Sequence, residues 1–214
     1  MARSESKDSS RNLAAEIVAL AKSLQDNKDL EVEWEPGSPA SEKDLERAKK
    51  LGLSDDFIAM WAAMDGCSCK WEDTSEGAFE ESRGGFELSR LADIVREDRE
   101  GRIFFDSDPA DDLKRSFYPI ESYDPFGSGN SCGVVMNGTS PIKIHFLSGE
   151  PELFPLKVDL AGYVDLLKQT RGYLYWHAAI AEAINDDTSA LETMSEDLER
   201  IFPELKTEKV RVPS

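Results

Sequence analysis

Residues 118–156 read YPIESYDPFGSGNSCGVVMNGTSPIKIHFLSGEPELFPL, and this stretch decides the fold. Two apolar, β-branched runs, Ser131–Met136 and Pro141–Leu147, flank Asn137-Gly138. That dipeptide takes positive φ readily and turns one strand back on the next. A third run, Pro151–Leu156, follows the Ser148-Gly149 turn, and a Gly-rich corner, Asp124–Asn130, leads into the first. The pattern predicts an antiparallel meander with Ser131–Met136 paired to Ile142–Leu147. Helical patterns lie on both sides of it in the sequence. The expected class is therefore α+β: an antiparallel or mixed central sheet, helices packed alongside, and extra C-terminal helices.

Towards the N-terminus, Leu13, Ile17, Leu20 and Leu24 recur at helical spacing behind Ser10 as N-cap,. Glu31–Trp34 is extended and alternates charge with Val32 and Trp34. Ser41 with Asp44 opens a helix that stops at Gly52, and Ser54 opens the next,. That one carries Phe57, Ile58, Trp61 and Met64 on one face and stops at Asp65-Gly66. Cys67–Trp71 and Phe86–Leu88 read as strands around an acidic loop, Ser89–Arg99 as a helix, and 101–105 as a strand. Beyond the meander, Leu160, Tyr163, Val164 and Leu167 form one helical stripe. Tyr173, Trp176, Ile180 and Ile184 continue it on a shifted face, which implies either a kink at Gly172 or burial on two faces,. A last helix over about Ser189–Phe202 is stopped by Pro203, and the tail after it has little to bury. The domain reading is a disordered tail over 1–9, an N-terminal helix and lead-in over 10–35, a central domain over 36–170, and a C-terminal helical extension over 171–214 packed on that domain.

Charge limits the function. Acidic residues number 43 against 25 basic ones, a formal net charge of −18 over 214 residues. Such a surface repels phosphate backbones and anionic lipid heads, which excludes nucleic acid and membrane surfaces as expected partners, and it attracts a basic protein. No spanning segment or secretory apolar core is present, and three cysteines, an odd number, suit a reducing compartment,. The expected location is the cytoplasm.

The candidate chemistry is thin. Cys67 and Cys69 put two thiols on one strand face, but a zinc site needs two further ligands, which only Cys132, His145 and His177 could supply,. Cys132 and His145 stand on paired strands, yet no nucleophile elbow or oxyanion loop surrounds the thiol,. His177, one turn from Tyr173, reads as a helix-packing residue. The loop over 106–112 fails as a calcium loop because Ala110 and Asp111 stand where a ligand and a glycine are needed,. The expectation is a protein with no catalytic residue, no metal centre and no cofactor.

The order of elements resembles the SUKH superfamily, the Smi/Knr-like group of bacterial immunity proteins and fungal cell-wall regulators. The resemblance rests on Ser41-x-x-Asp44-Leu45, then Lys49-Lys50-Leu51-Gly52-Leu53-Ser54-Asp55-Asp56-Phe57 and Asp65-Gly66. It continues through Tyr118-Pro119-Ile120, Asp124-x-x-Gly127-x-Gly129-Asn130, Ile142-Lys143-Ile144-His145-Phe146 and the helix over Leu160–Leu167. It covers about residues 36–170, with Lys49 where the family often has Glu and Ser54 where it often has Pro. The resemblance implies helices on one side of the sheet and a non-enzymatic protein that neutralises a cognate toxin, very often a nuclease. A basic nuclease would be steered to an acidic inhibitor, so charge and resemblance agree. A regulatory or scaffold module with an unrelated partner is the competing reading. The expected partner-binding residues lie on acidic loops beside strand ends: Trp71, Glu72 and Asp73; Asp106, Asp108, Asp111 and Asp112; and Asp124 with Phe126. Trp71 or Phe126 is the expected aromatic anchor.

Overall fold

The computed structural model describes residues 12–79, 81–96, 116–122, 130–136, 143–149, 152–207 and 210–213. Seven strands form one antiparallel sheet in sequence order: β1 Leu30–Pro36, β2 Cys67–Asp73, β3 Arg83–Leu88, β4 Phe117–Glu121, β5 Ser131–Val135, β6 Ile144–Leu147 and β7 Leu153–Pro155. The α+β class is as expected, and β5 pairs antiparallel with β6 from Ser131↔Leu147 to Val134↔Ile144. The turn between them, like the tail over 1–9 and the strand expected over 101–105, lies outside the described residues.

The helices among the described residues are α1 Leu13–Gln25, α2 Glu42–Leu51, α3 Asp55–Ala63, α4 Leu91–Ile94, α5 Leu160–Thr170, α6 Trp176–Ile184 and α7 Ser189–Ile201. Side-chain caps explain where several begin. Ser41 accepts from the Asp44 amide, Ser54 from that of Phe57 and Asp159 from that of Gly162, which satisfies amides that the first turn leaves orphaned. The first helix differs from expectation: Asn12, not Ser10, is its N-cap, with Oδ1 accepting from the Ala15 amide at 3.0 Å. The helix expected over Ser89–Arg99 is short among the described residues, with Arg90 as N-cap.

One apolar cluster runs from Leu13 to Leu205 between the helices and one face of the sheet. Phe57 stacks on Trp61 at 4.0 Å, and the Trp61 indole donates to Ser89 O at 2.9 Å, which ties α3 to the chain leaving β3. The tail contributes after all, since Val210 and Val212 pack on this cluster. A smaller cluster of Phe117, Val135, Leu147 and Leu153 occupies the other face under β4–β7.

The sheet is wedged open at one place. β3 and β4 share only the pair Leu88↔Glu121. The edge that β3 leaves free, Arg83 to Gly85, is taken by the turn between α5 and α6. There Gly85 N donates to Gly172 O at 2.7 Å and Leu174 N to Arg83 O at 2.9 Å. Of the two expectations, a kink at Gly172 or burial on two faces, the first is met as a full break, with Arg171, Gly172 and Tyr175 at positive φ. Gly84 is required for the close approach, because a Cβ there would stand 2.3 Å from Gly172 O and 2.7 Å from the Trp71 ring,. The C-terminal helices are thus hydrogen-bonded into the sheet. A polar knot holds α7 to the same hairpin. The Arg200 guanidinium donates to Asp73 Oδ2 at 2.7 Å, to Ser82 Oγ at 2.7 Å and to Asp197 Oδ1 at 2.9 Å.

Candidate functional site

The strand registers place one row of residues straight across the sheet: Pro36, Cys67, Leu88, Glu121, Cys132, Phe146 and Phe154. Facing residues of paired strands point to one side, and here that side is the helix-covered one. A glutamate in this row is unexpected. Strict alternation from Pro119, which pairs with Gly133, would turn Glu121 to the opposite face. The register shifts between Pro119 and Glu121, so Ile120 is an extra residue. This bulge sends both Ile120 and Glu121 inward, re-aiming a side chain as bulges do,. Gly133 lets β4 and β5 close there, since a Cβ would sit 2.4 Å from Tyr118 O.

Glu121 is 1% exposed, as buried as the core around it. Its Oε2 accepts from the Tyr163 hydroxyl of α5 and lies 2.7 Å from His177 Nε2 of α6. Its Oε1 has no hydrogen-bond partner among the described residues. The His177 ring is set by stacking, nearly parallel to Phe146 at 6.0 Å and to Tyr163 at 6.4 Å. The Cys132 thiol donates to His145 O at 3.3 Å. Burial pushes this thiol well above its usual range, and the Glu121 charge adds to the shift. Burial, then Glu121, likewise raises the Tyr163 hydroxyl. The cluster is thus a carboxylate, an imidazole, a phenol and a thiol, brought together by four elements.

The sequence alone does not indicate this arrangement: it offers no role for Glu121, places Tyr163 in an apolar stripe and His177 in helix packing. The Cys132–His145 pair does not form: His145 pairs with Gly133, one residue off Cys132, so the two side chains face opposite ways,. The His145 ring meets Lys143 O instead, and burial holds it below its usual range. Cys67 and Cys69 share the inner face as expected. Burial raises both, Cys69 to about 12. All three thiols are free and buried. Alkylation of the native protein by iodoacetamide at pH 7.5 is therefore expected to run at least about tenfold slower than in the urea-unfolded chain. Mass spectrometry of timed samples checks this, and rapid labelling at Cys132 would reopen the nucleophile reading.

The expected partner-binding residues divide. Asp106, Asp108, Asp111, Asp112, Asp124 and Phe126 lie outside the described residues. Trp71 is a correction. It has the parity of Cys67 and Cys69 on β2 and is 1% exposed, so it is a core residue and offers a partner no surface. Asp73 is committed to Arg200, with its side chain 2% exposed. Burial pushes its carboxyl up, but Ser75 and Arg200 outweigh that and hold it below its usual range. Glu72 alone of the three is exposed. It stands on an open acidic face. Glu31, Glu33 and Glu35 of β1, Glu72 of β2 and Glu87 of β3 all point outward and are exposed, with Lys70 among them. Glu31 faces Glu72, and Glu33 faces Lys70. None of the five forms an ion pair among the described residues.

No helix among the described residues is long and apolar enough to cross a membrane. No protein family, curated protein or solved structure matches this chain.

Proposed function

We propose that this chain is a cytoplasmic immunity protein of the SUKH type, which acts by stoichiometric binding of a basic toxin domain and not by catalysis. The observation that carries this reading is the acidic sheet face. Along β1 the three glutamates recur about every 6.7 Å, and neighbouring strands stand about 4.8 Å apart. A basic surface therefore meets a fixed lattice of charge. Like charges directly opposite one another, as in Glu31 and Glu72, destabilise a sheet,. A charged edge strand also prevents stray pairing with other chains. Edge protection accounts for Glu31, Glu33 and Glu35. It does not account for Glu72 and Glu87, which stand on inner strands. Three unpaired thiols suit a reducing compartment,.

Affinity purification on the full chain from its host, followed by stopped-flow binding of the recovered protein, tests this reading. The expected partner is basic, binds one to one, and is toxic when expressed without this chain. Replacing Glu31, Glu33 and Glu35 with Lys is expected to slow association about tenfold or more at low salt and to flatten its salt dependence. An acidic partner, or unchanged association in the triple variant, would sink the proposal.

A further inference from the structure

Beyond partner binding, we infer that Glu121, His177 and Cys132 form a buried binding site for a divalent transition-metal ion of the zinc type. Their ligating atoms, a carboxylate oxygen, an imidazole nitrogen and Sγ, all lie within 4.8 Å of one another. Oxygen, nitrogen and sulfur ligands at about 2.0–2.3 Å from a tetrahedral zinc stand about 3.3–3.8 Å apart, so closing on an ion takes side-chain shifts of about 1 Å. The set is a recognised zinc chemistry, and the hydroxyl of Tyr163, already on Glu121 Oε2, offers a further oxygen for a fourth position,.

A second observation points the same way. Glu121 Oε1 is buried without a hydrogen-bond partner among the described residues. A self-contained Glu121–His177 ion pair would not need that acceptor left bare, since a buried unsatisfied oxygen costs stability. Nor would it need the Cys132 thiol in the same row. A metal ion uses all three groups. The fold also spends a bulge on the site, because without Ile120 as the extra residue Glu121 would leave the cluster.

A crevice of about 20 Å³ has Phe146, Tyr173, Trp176 and His177 in its lining. Cys67 and Cys69, the thiols whose spacing in the sequence suggests zinc, do not belong to this group.

The test uses the full chain, stripped with chelator and titrated with Co²⁺ as the spectroscopic stand-in for Zn²⁺. The expected result is a thiolate-to-cobalt charge-transfer band that saturates at one equivalent and is displaced by Zn²⁺. Cys132→Ser should abolish the band, whereas Cys67→Ser and Cys69→Ser should keep it. Zn²⁺ at about a hundred times its dissociation constant should raise the Tm of the wild type by roughly 5–10 °C and leave that of His177→Gln unchanged. The titration of the wild type stands whether or not the variants fold. Absence of both the band and the Tm rise would overturn the site, as would a band lost in Cys67→Ser or Cys69→Ser but kept in Cys132→Ser. Partner binding that fails while the band appears would sink the immunity reading and leave the metal site standing.

Discussion

Trp71→Ala is expected to lower the unfolding free energy by about 3–5 kcal/mol, the range for emptying a large aromatic from a core. Trp71 is fully enclosed, and the indole joins parts of the chain that are distant in sequence. Its Nε1 donates to Arg171 O at 2.7 Å, at the break between α5 and α6. Its ring meets Phe202 edge-on at 5.6 Å and Tyr173 at 6.2 Å. Truncation would leave a void against Gly84, where the wedge turn enters the sheet, and would remove the hydrogen bond to Arg171 O,. The upper part of the range is therefore expected, with the C-terminal helices loosening first. Urea unfolding with hydrogen exchange on α6 and α7 checks both statements. If Trp71 were instead a surface anchor, the variant would melt like the wild type and lose only partner binding.

The fate of Trp71 shows where the sequence spoke and where it was misread. Its position four residues from Cys67 and two from Cys69 fixes its face on any regular strand, and that parity was available without coordinates. The adjacent acidic loop drew attention to surface roles instead. The meander was legible because its apolar runs alternate with turn residues, and α2 and α3 because Ser41, Gly52 and Ser54 mark their ends. The alternation of Glu31, Glu33 and Glu35 with Val32 and Trp34 was legible too; that it continues as an acidic face onto β2 and β3 needed the registers. Glu121 was illegible for a definite reason. A one-residue bulge inverts the parity that any strand pattern would assign it, and no local residue type announces that bulge,. The partners Tyr163 and His177 come from helices whose packing depends on the wedge at Gly172, a contact between segments 87 residues apart in pairing Gly85 with Gly172.

In chelator-treated protein, His177→Leu is expected to cost about 3–5 kcal/mol at pH 7.5, the penalty for breaking a buried pair from one side. Leucine can keep much of the apolar contact that the imidazole makes with Phe146 and Tyr163, so the loss reports mainly on the missing polar partner of Glu121. Glu121 would then retain only the Tyr163 hydroxyl, in a site with 1% exposure. The double variant Glu121→Gln/His177→Leu removes the stranded carboxyl and should recover about half of the loss or more, since deleting both partners costs less than deleting one. Equilibrium urea unfolding of both variants measures it. A double variant no more stable than His177→Leu would mean that the cluster is ordinary packing.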